Sequence, residues 1–190
     1  MIWFCSDHHF GHANIVKLCN RPYDDVIQME KDLVLRHNAV VRPGEVVYFI
    51  GDIVWDKRSM DILPSLHGVH RFVLGGHDLK FFAARTPGAL IPGVRKYEIW
   101  EVDIEGQPLV LCHFPLREWN RSHYGAWHLH GHCHGRGAEP RNCLDVSVDA
   151  WDFYPVSLTQ IREKIDPPGA RLLADIHARS DFDAKGFTNN

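Results

Sequence analysis

The chain has no Cys-x-x-Cys pair, and its five cysteines (Cys5, Cys19, Cys112, Cys133, Cys143) are odd in number. That argues against a disulfide framework and fits a reducing compartment. No apolar stretch approaches the length of a transmembrane span. The N-terminus enters an apolar run at once, with no basic leader and no cleavage signal. Neither sign of charge dominates: 21 Lys and Arg against 24 Asp and Glu leave a formal net charge of −3, so no global basic field argues for nucleic acid. Internal repeats and low-complexity tracts are absent too. The expectation is a soluble, cytoplasmic protein with no membrane partner, its 190 residues enough to bury a core.

Histidine, by contrast, is abundant, at 14 residues, and it is the commonest metal ligand among side chains. It is also concentrated. Five short apolar runs each end in a polar cluster: Asp7-His8-His9, Gly51-Asp52, Gly75-Gly76-His77-Asp78, His113, and His132-Cys133-His134. Open α/β sheets place ligands at the carboxyl ends of their strands. Each cluster alone has an ordinary reading as a helix cap or a turn, since Asp is a good N-cap. Together they describe a site for metal ions, with several carboxylates and imidazoles and one isolated carboxylate, Asp52, available to both ions of a pair. On an extended backbone Asp7 and His9 face the same side, as do His132 and His134.

The first half of the chain reads as strand, helix, helix, strand, helix, strand. The strands are Met1 to Cys5, Val46 to Ile50 and Val69 to Leu74; the helices are Ala13 to Cys19, Asp25 to Val40 and Lys57 to Leu66. Such alternation predicts parallel strands with helical crossovers. The second half carries strands over Val94 to Ile104 and Pro108 to Cys112 around the hairpin residues Glu105-Gly106-Gln107. Two more follow, Ala126 to His130 and Leu144 to Val148, and then a helix from Leu158 to Lys164. These later strands are expected to be antiparallel, giving two sheets packed face to face and flanked by helices. The compact domain is expected to span 1–166. The remainder, 167–190, reads as a tail with a short helix over Ala170 to Arg179.

The ordered series Asp-x-His, Gly-Asp, Gly-Gly-His-Asp, His and Gly-His-x-His resembles the signature of calcineurin-like metallophosphoesterases, from Ser6 to about Ser157. His113-Phe114-Pro115-Leu116-Arg117 and Trp127-His128-Leu129-His130-Gly131-His132 resemble its small bacterial or phage branch. The resemblance implies an α/β fold, a four-layer α/β/β/α sandwich of two mixed sheets. It implies Asp7, His9 and His134 as ligands of one metal, His113 and His132 as ligands of a second, and Asp52 as the bridge. It implies His77 as the general acid, oriented by Asp78. Two ions about 3.5–4 Å apart lower the pKa of a water between them for in-line attack on phosphorus. With Asp and His as donors, Mn²⁺ is the first expectation, with Fe, Zn²⁺ or Ni²⁺ also compatible.

One position departs from the family. Gly76 stands where the family has an Asn that supplies a carbonyl oxygen to the second metal and an amide to the phosphate, so weaker second-metal and phosphate binding is expected. That departure keeps open a second class, a phosphoesterase-fold binding or scaffold protein with little or no activity. A third class is a structural zinc module built from Cys112, His113, His132, Cys133 and His134. The substrate is expected to be a phosphate ester, with nucleotides and nucleic-acid ends among the candidates. His12, Arg117 and His123 are candidates for binding its anionic part, and Arg121, Arg136 and Arg141 extend a basic rim. Trp55 is read as cleft wall, and Cys112 and Cys133 as packing residues.

Overall fold

The computed structural model describes residues 1–78 and 99–166. Two four-stranded mixed sheets carry the fold, flanked by helices. The first has the order β3-β2-β1-β8, the second β4-β5-β6-β7. Strands β1 (Ile2–Cys5), β2 (Val46–Ile50) and β3 (Val69–Val73) run parallel, and the two-residue β8 (Val156–Ser157) runs antiparallel to β1. In the second sheet β4 (Ile99–Ile104) and β5 (Gln107–Cys112) form the expected hairpin. Strands β6 (Trp127–His130) and β7 (Cys143–Asp145) then add parallel to β5.

That last point corrects the expectation of antiparallel pairing in the second half. The segments 113–126 and 131–142 are each long enough for a parallel return, which needs a dozen or more residues. Among the described residues these crossovers hold no α-helix, only a 3-10 turn at Ser122–Tyr124, so helical periodicity gave no sign of them. The expected strand beginning at Val94 and the helix over Ala170 to Arg179 fall wholly or partly outside the described residues.

The parallel strands read as unbroken apolar runs because both of their faces are buried. Trp3, Cys5, Val47, Phe49 and Phe72 point to the helical side, where they meet Ile15 and Val16 of α1 (Ile15–Leu18) and Met29 and Leu33 of α2 (Val26–Val40). Phe4, Tyr48, Ile50 and Val73 point the other way, against Leu109, Leu111, Trp127, Leu129 and Leu144 of the second sheet. Truncating the fully buried Phe4 to Ala would cost about 3–5 kcal/mol. Helix α2 starts where Asp25 accepts the Gln28 N–H at 2.8 Å. Helix α3 (Leu158–Ile165) starts with a capping box between Ser157 and Gln160. The expected helix near Lys57 is a 3-10 helix, Arg58–Ser65, with Pro64 inside it. No helix among the described residues is long and apolar enough to cross a membrane.

The two sheets meet at the C-terminal ends of their parallel strands. Ser6, just past β1, bridges to Ser147, just past β7, and its N–H donates to the Val146 carbonyl at 3.1 Å. Asp7 N–H donates to the Gly51 carbonyl, and Gly131 N–H to the His113 carbonyl. All the His- and Asp-bearing clusters therefore empty into one cleft.

Candidate metal centre

The backbone delivers the ligand candidates in an uncommon conformation. Asp7 (φ 58°), His9 (53°), Asp52 (51°), His132 (69°) and His134 (52°) all lie in the left-handed region, each at a cost of order 1–3 kcal/mol. Asp7 and His9 do share a side, but not through the extended geometry expected from alternation. The strand ends at Cys5, and the left-handed turns fold the carboxylate and the imidazole inward while His8 turns back into the core against Phe10 and Phe49. His132 and His134 likewise lie beyond β6, which ends at His130. Backbone strain of this kind clusters at functional sites in proteins generally.

Asp7 is fully buried. Its Oδ2 accepts from Ser6 Oγ (2.6 Å) and from the His132 N–H (2.9 Å), while Oδ1 faces His134 Nε2 (3.5 Å) and His9 Nε2 (3.7 Å). Asp52 Oδ1 accepts the His77 N–H at 3.1 Å. Its Oδ2 lies 3.4 Å from His113 Nε2, 3.5 Å from His77 Nε2 and 3.9 Å from His9 Nε2, between the two ligand sets. Ligand atoms of Asp7, His9 and His134, and of Asp7, Asp52 and His113, lie within 4.8 Å of one another. The His132 ring stands more exposed at the mouth, 5.3 Å from the His113 ring.

This donor set fits divalent cations. Asp7 Oδ1, His9 Nε2 and His113 Nε2 are buried and have no hydrogen-bond partner, and buried polar atoms without partners are rare enough to require a reason. Electrostatics points the same way. Burial disfavours charge on His113, yet Asp7 and Asp52 outweigh it and push the imidazole up to about 9. Two carboxylates in so dry a cleft demand positive charge. The outer nitrogens are already fixed: His113 Nδ1 donates to the Ile50 carbonyl (3.0 Å) and His134 Nδ1 to Asp149 Oδ2 (2.7 Å). In each ring Nε2 is then the nitrogen turned to the cleft, free to exchange its proton for a metal ion.

Asp149 and Arg21 are the residues bonded to the ligand candidates that sequence reasoning missed. Arg21 donates to both oxygens of Asp149 (2.8 and 2.7 Å) and also to the carbonyls of Asp7 (2.6 Å) and His8 (3.0 Å), so one buried guanidinium ties the first ligand loop to the carboxylate behind His134. Burial works to raise the Asp149 carboxyl, but His134 and Arg21 outweigh it and hold it at about 2. In sequence Arg21 precedes Pro22 and marks only the end of a helix, and its partner lies 128 residues away. No local signal joins them.

His77 sits at the lip, its side chain 41% exposed and its ring 4.4 Å from that of Trp55. Asp78 is buried, and its carboxylate accepts the N–H groups of Gly75, Ile53 and Val54 at 2.9–3.1 Å. It therefore fastens the His77 turn to the loop after Asp52, acting on backbone rather than on the imidazole. Burial lifts its pKa to about 6. A Cβ on Gly75 would collide with Asp52, and one on Gly131 with Asp7 and Ser6; a Cβ on Gly76 would meet nothing within 4 Å. The first two glycines are required by close approach, and the third is not.

The His12 ring stacks on Trp55, with centroids 3.6 Å apart and planes within 5°, and its Nδ1 lies 3.4 Å from His9 Nδ1. Burial and the neighbouring imidazoles hold His12 down at about 4, so it is neutral near pH 7. Arg117 and His123 are not brought to the metal cleft. They line a separate cavity of about 530 Å³ with Trp119 and Arg141, reaching Gly125 and Asn142 at the opposite ends of β6 and β7. Among the described residues neither Cys112 nor Cys133 shares a metal-capable group with His113, His132 or His134, which removes the basis for a structural zinc module.

No protein-family model matches the chain. Over 176 residues it is 33% identical to the uncharacterized protein MJ1445 of Methanocaldococcus jannaschii, covering 87% of this chain and 91% of that one. It is 26% identical over 180 residues to the Gene 66 protein of Mycobacterium phage L5, covering 78% and 86% of the two chains. The crystal structure of AQ665 from Aquifex aeolicus, a protein of unknown function, superposes with a TM-score of 0.67 at 21% identity, over 87% of this chain and 99% of that one. That likeness establishes the fold. The extent and level of the first similarity place the chain in one family with MJ1445.

Proposed function

We propose that the protein is a metal-dependent phosphoester hydrolase of the calcineurin-like type, working in the cytoplasm. The observation that carries this reading is the convergence of Asp7, His9, Asp52, His113 and His134 from both sheets, with three buried ligand atoms facing the cleft unpartnered. Two divalent ions, when bound, would supply the Lewis acidity that makes water nucleophilic near neutral pH and would neutralise the phosphoryl oxygens. Asp7, His9 and His134 would hold one ion, His113 and His132 the other, with Asp52 shared. The oxygen and imidazole donors suit Mn²⁺, Fe²⁺, Zn²⁺ or Ni²⁺ better than Mg²⁺.

The chain's own groups then divide the remaining work. His77 projects from the lip on a backbone fixed by Asp52 and Asp78, where an imidazolium can protonate the departing oxygen. General acid catalysis of this kind is worth about 10²–10⁴ in rate. Arg21 and Asp149 hold the His134 ring in the tautomer that offers Nε2 to the cleft. Trp55, stacked by His12, walls the cleft beside His77 and offers a flat surface to an aromatic leaving group. Phosphomonoesters, phosphodiesters, cyclic phosphates and nucleotide pyrophosphates all match this chemistry.

Gly76 supports one competing reading, a binding protein on the same fold, because it adds no ligand to the second ion. Mn²⁺-stimulated hydrolysis of bis-(p-nitrophenyl) phosphate by the natural chain and by Gly76→Asn separates the two. Turnover in either supports the hydrolase; turnover in neither supports the scaffold.

A further inference from the structure

A second cluster of soft ligands lies on the other side of the first ligand loop. Cys5 closes β1, His8 follows Asp7, and His37 lies on the α2 face that also presents Met29 and Leu33 to the core. All three side chains are buried, at 0–1% exposure, and the Cys5 Sγ and one ring nitrogen of each histidine lie within 4.8 Å of one another. Their shell is aromatic: Phe10 stacks on His8 at 5.2 Å, and Phe49 lies 5.4 Å from the His8 ring and 5.8 Å from the His37 ring.

The donor and acceptor accounting does not close within this cluster. His37 Nε2 donates to the His67 carbonyl at 2.9 Å, which leaves Nδ1 as a lone pair. Nδ1 of His37 and Nδ1 of His8 are both buried and have no hydrogen-bond partner. Two buried imidazole nitrogens without partners, grouped with one thiol in a dry pocket, call for a reason, and a cation held by sulfur and nitrogen supplies one.

We propose that Cys5, His8 and His37 form a binding site for a single soft monovalent d¹⁰ cation, Cu⁺, separate from the phosphoesterase centre. Sulfur and imidazole donors select soft ions. Charge selects the monovalent one: a thiolate and two neutral imidazoles carry −1, so Cu⁺ leaves the apolar pocket neutral. Zn²⁺ would leave a net positive charge next to the buried Arg21 guanidinium, which bonds the His8 carbonyl at 3.0 Å. Binding exchanges the thiol proton for the ion: the S–H bond breaks, the S–Cu bond forms, and one proton is released per ion with no change of oxidation state.

The test is anaerobic Cu⁺ titration of the full chain in competition with bicinchoninate, with X-ray absorption at the copper edge. The proposal expects one retained equivalent with one sulfur and two nitrogen neighbours. Cys5→Ser should weaken retention by about 100-fold or more, while Cys133→Ser and Asp52→Asn, which alters only the phosphoesterase centre, should retain the ion. If Cys5→Ser does not fold, the absorption spectrum of the natural chain together with Cys133→Ser decides. Copper without a sulfur neighbour, equal retention in folded Cys5→Ser, no retention by the natural chain, or uptake of Zn²⁺ but not Cu⁺ by these ligands would each overturn it.

Discussion

His134 and Asp149 are joined at 2.7 Å through the ring nitrogen that faces away from the cleft. Arg21 closes the arrangement from behind, its side chain entirely buried. Asp149→Asn should weaken metal binding by about 10–100-fold, the usual consequence of losing the partner behind a ligand histidine. It should also cost about 3–5 kcal/mol of stability, because the guanidinium loses its counter-charge inside the protein. Metal titration and denaturant unfolding read the two effects separately. Unchanged affinity with reduced stability would make Asp149 purely structural.

Gly75 and Gly76 are neighbours with opposite tolerance. Gly75→Ala should disrupt the site, since its Cβ would meet the Asp52 backbone and carboxylate, whereas Gly76→Asn meets open space. We expect Gly75→Ala to lose metal and activity together. Gly76→Asn should raise occupancy of the second ion and turnover by about tenfold or more, in line with a gained ligand. Equal metal content and turnover in Gly76→Asn and the natural chain would count against the role given to this position.

His77→Asn should leave metal content unchanged and lower kcat by about 10²–10⁴. The loss should shrink for substrates whose leaving group needs no proton, such as p-nitrophenolate esters, compared with alkyl esters. A uniform loss across leaving groups would assign His77 to phosphate binding instead of proton transfer.

His128 gives the fold a pH dependence of its own. It is fully buried on the outer face of the second sheet, with Nδ1 donating to the Val110 carbonyl (2.9 Å) and Nε2 accepting the Leu116 N–H (3.1 Å), a pattern only the neutral ring satisfies. Burial, with the adjacent His130, lowers its pKa below 6.5. Around it stand the rings of Trp119 and His130, the latter paired with Glu139. The unfolded chain thus takes up the proton first as pH falls, so this contribution is complete above about pH 6.5 and declines below it. Denaturation midpoints at pH 7.5 and 5.5 should differ less in His128→Gln than in the natural chain; an identical pH difference would contradict the assignment.

The sequence was most legible where chemistry and local pattern coincide. Asp7, His9, Asp52, His113 and His134 all belong to clusters that follow apolar runs, and the structure brings these clusters to one cleft. Geometry beyond neighbours was not legible. The alternation argument brought Asp7 and His9 together for the wrong reason: both residues take left-handed turns, which Asp and His adopt more readily than most residues but which strand alternation does not anticipate. Parallel pairing of β5, β6 and β7 was hidden by crossovers that are loops rather than helices. Arg117 follows His113 closely in sequence, yet the chain carries it into a different cavity. The Arg21–Asp149 pair joins positions that only the closed fold brings together.

The most direct test of the central claim is metal-dependent turnover. The natural chain and Gly76→Asn are stripped of metal, reloaded with Mn²⁺ and assayed on bis-(p-nitrophenyl) phosphate, with Asp52→Asn as control. The account predicts Mn²⁺-restored hydrolysis in the natural chain, more in Gly76→Asn, and loss of both bound metal and hydrolysis in Asp52→Asn. Absence of hydrolysis from both the natural chain and Gly76→Asn, with metal bound in each, would contradict it.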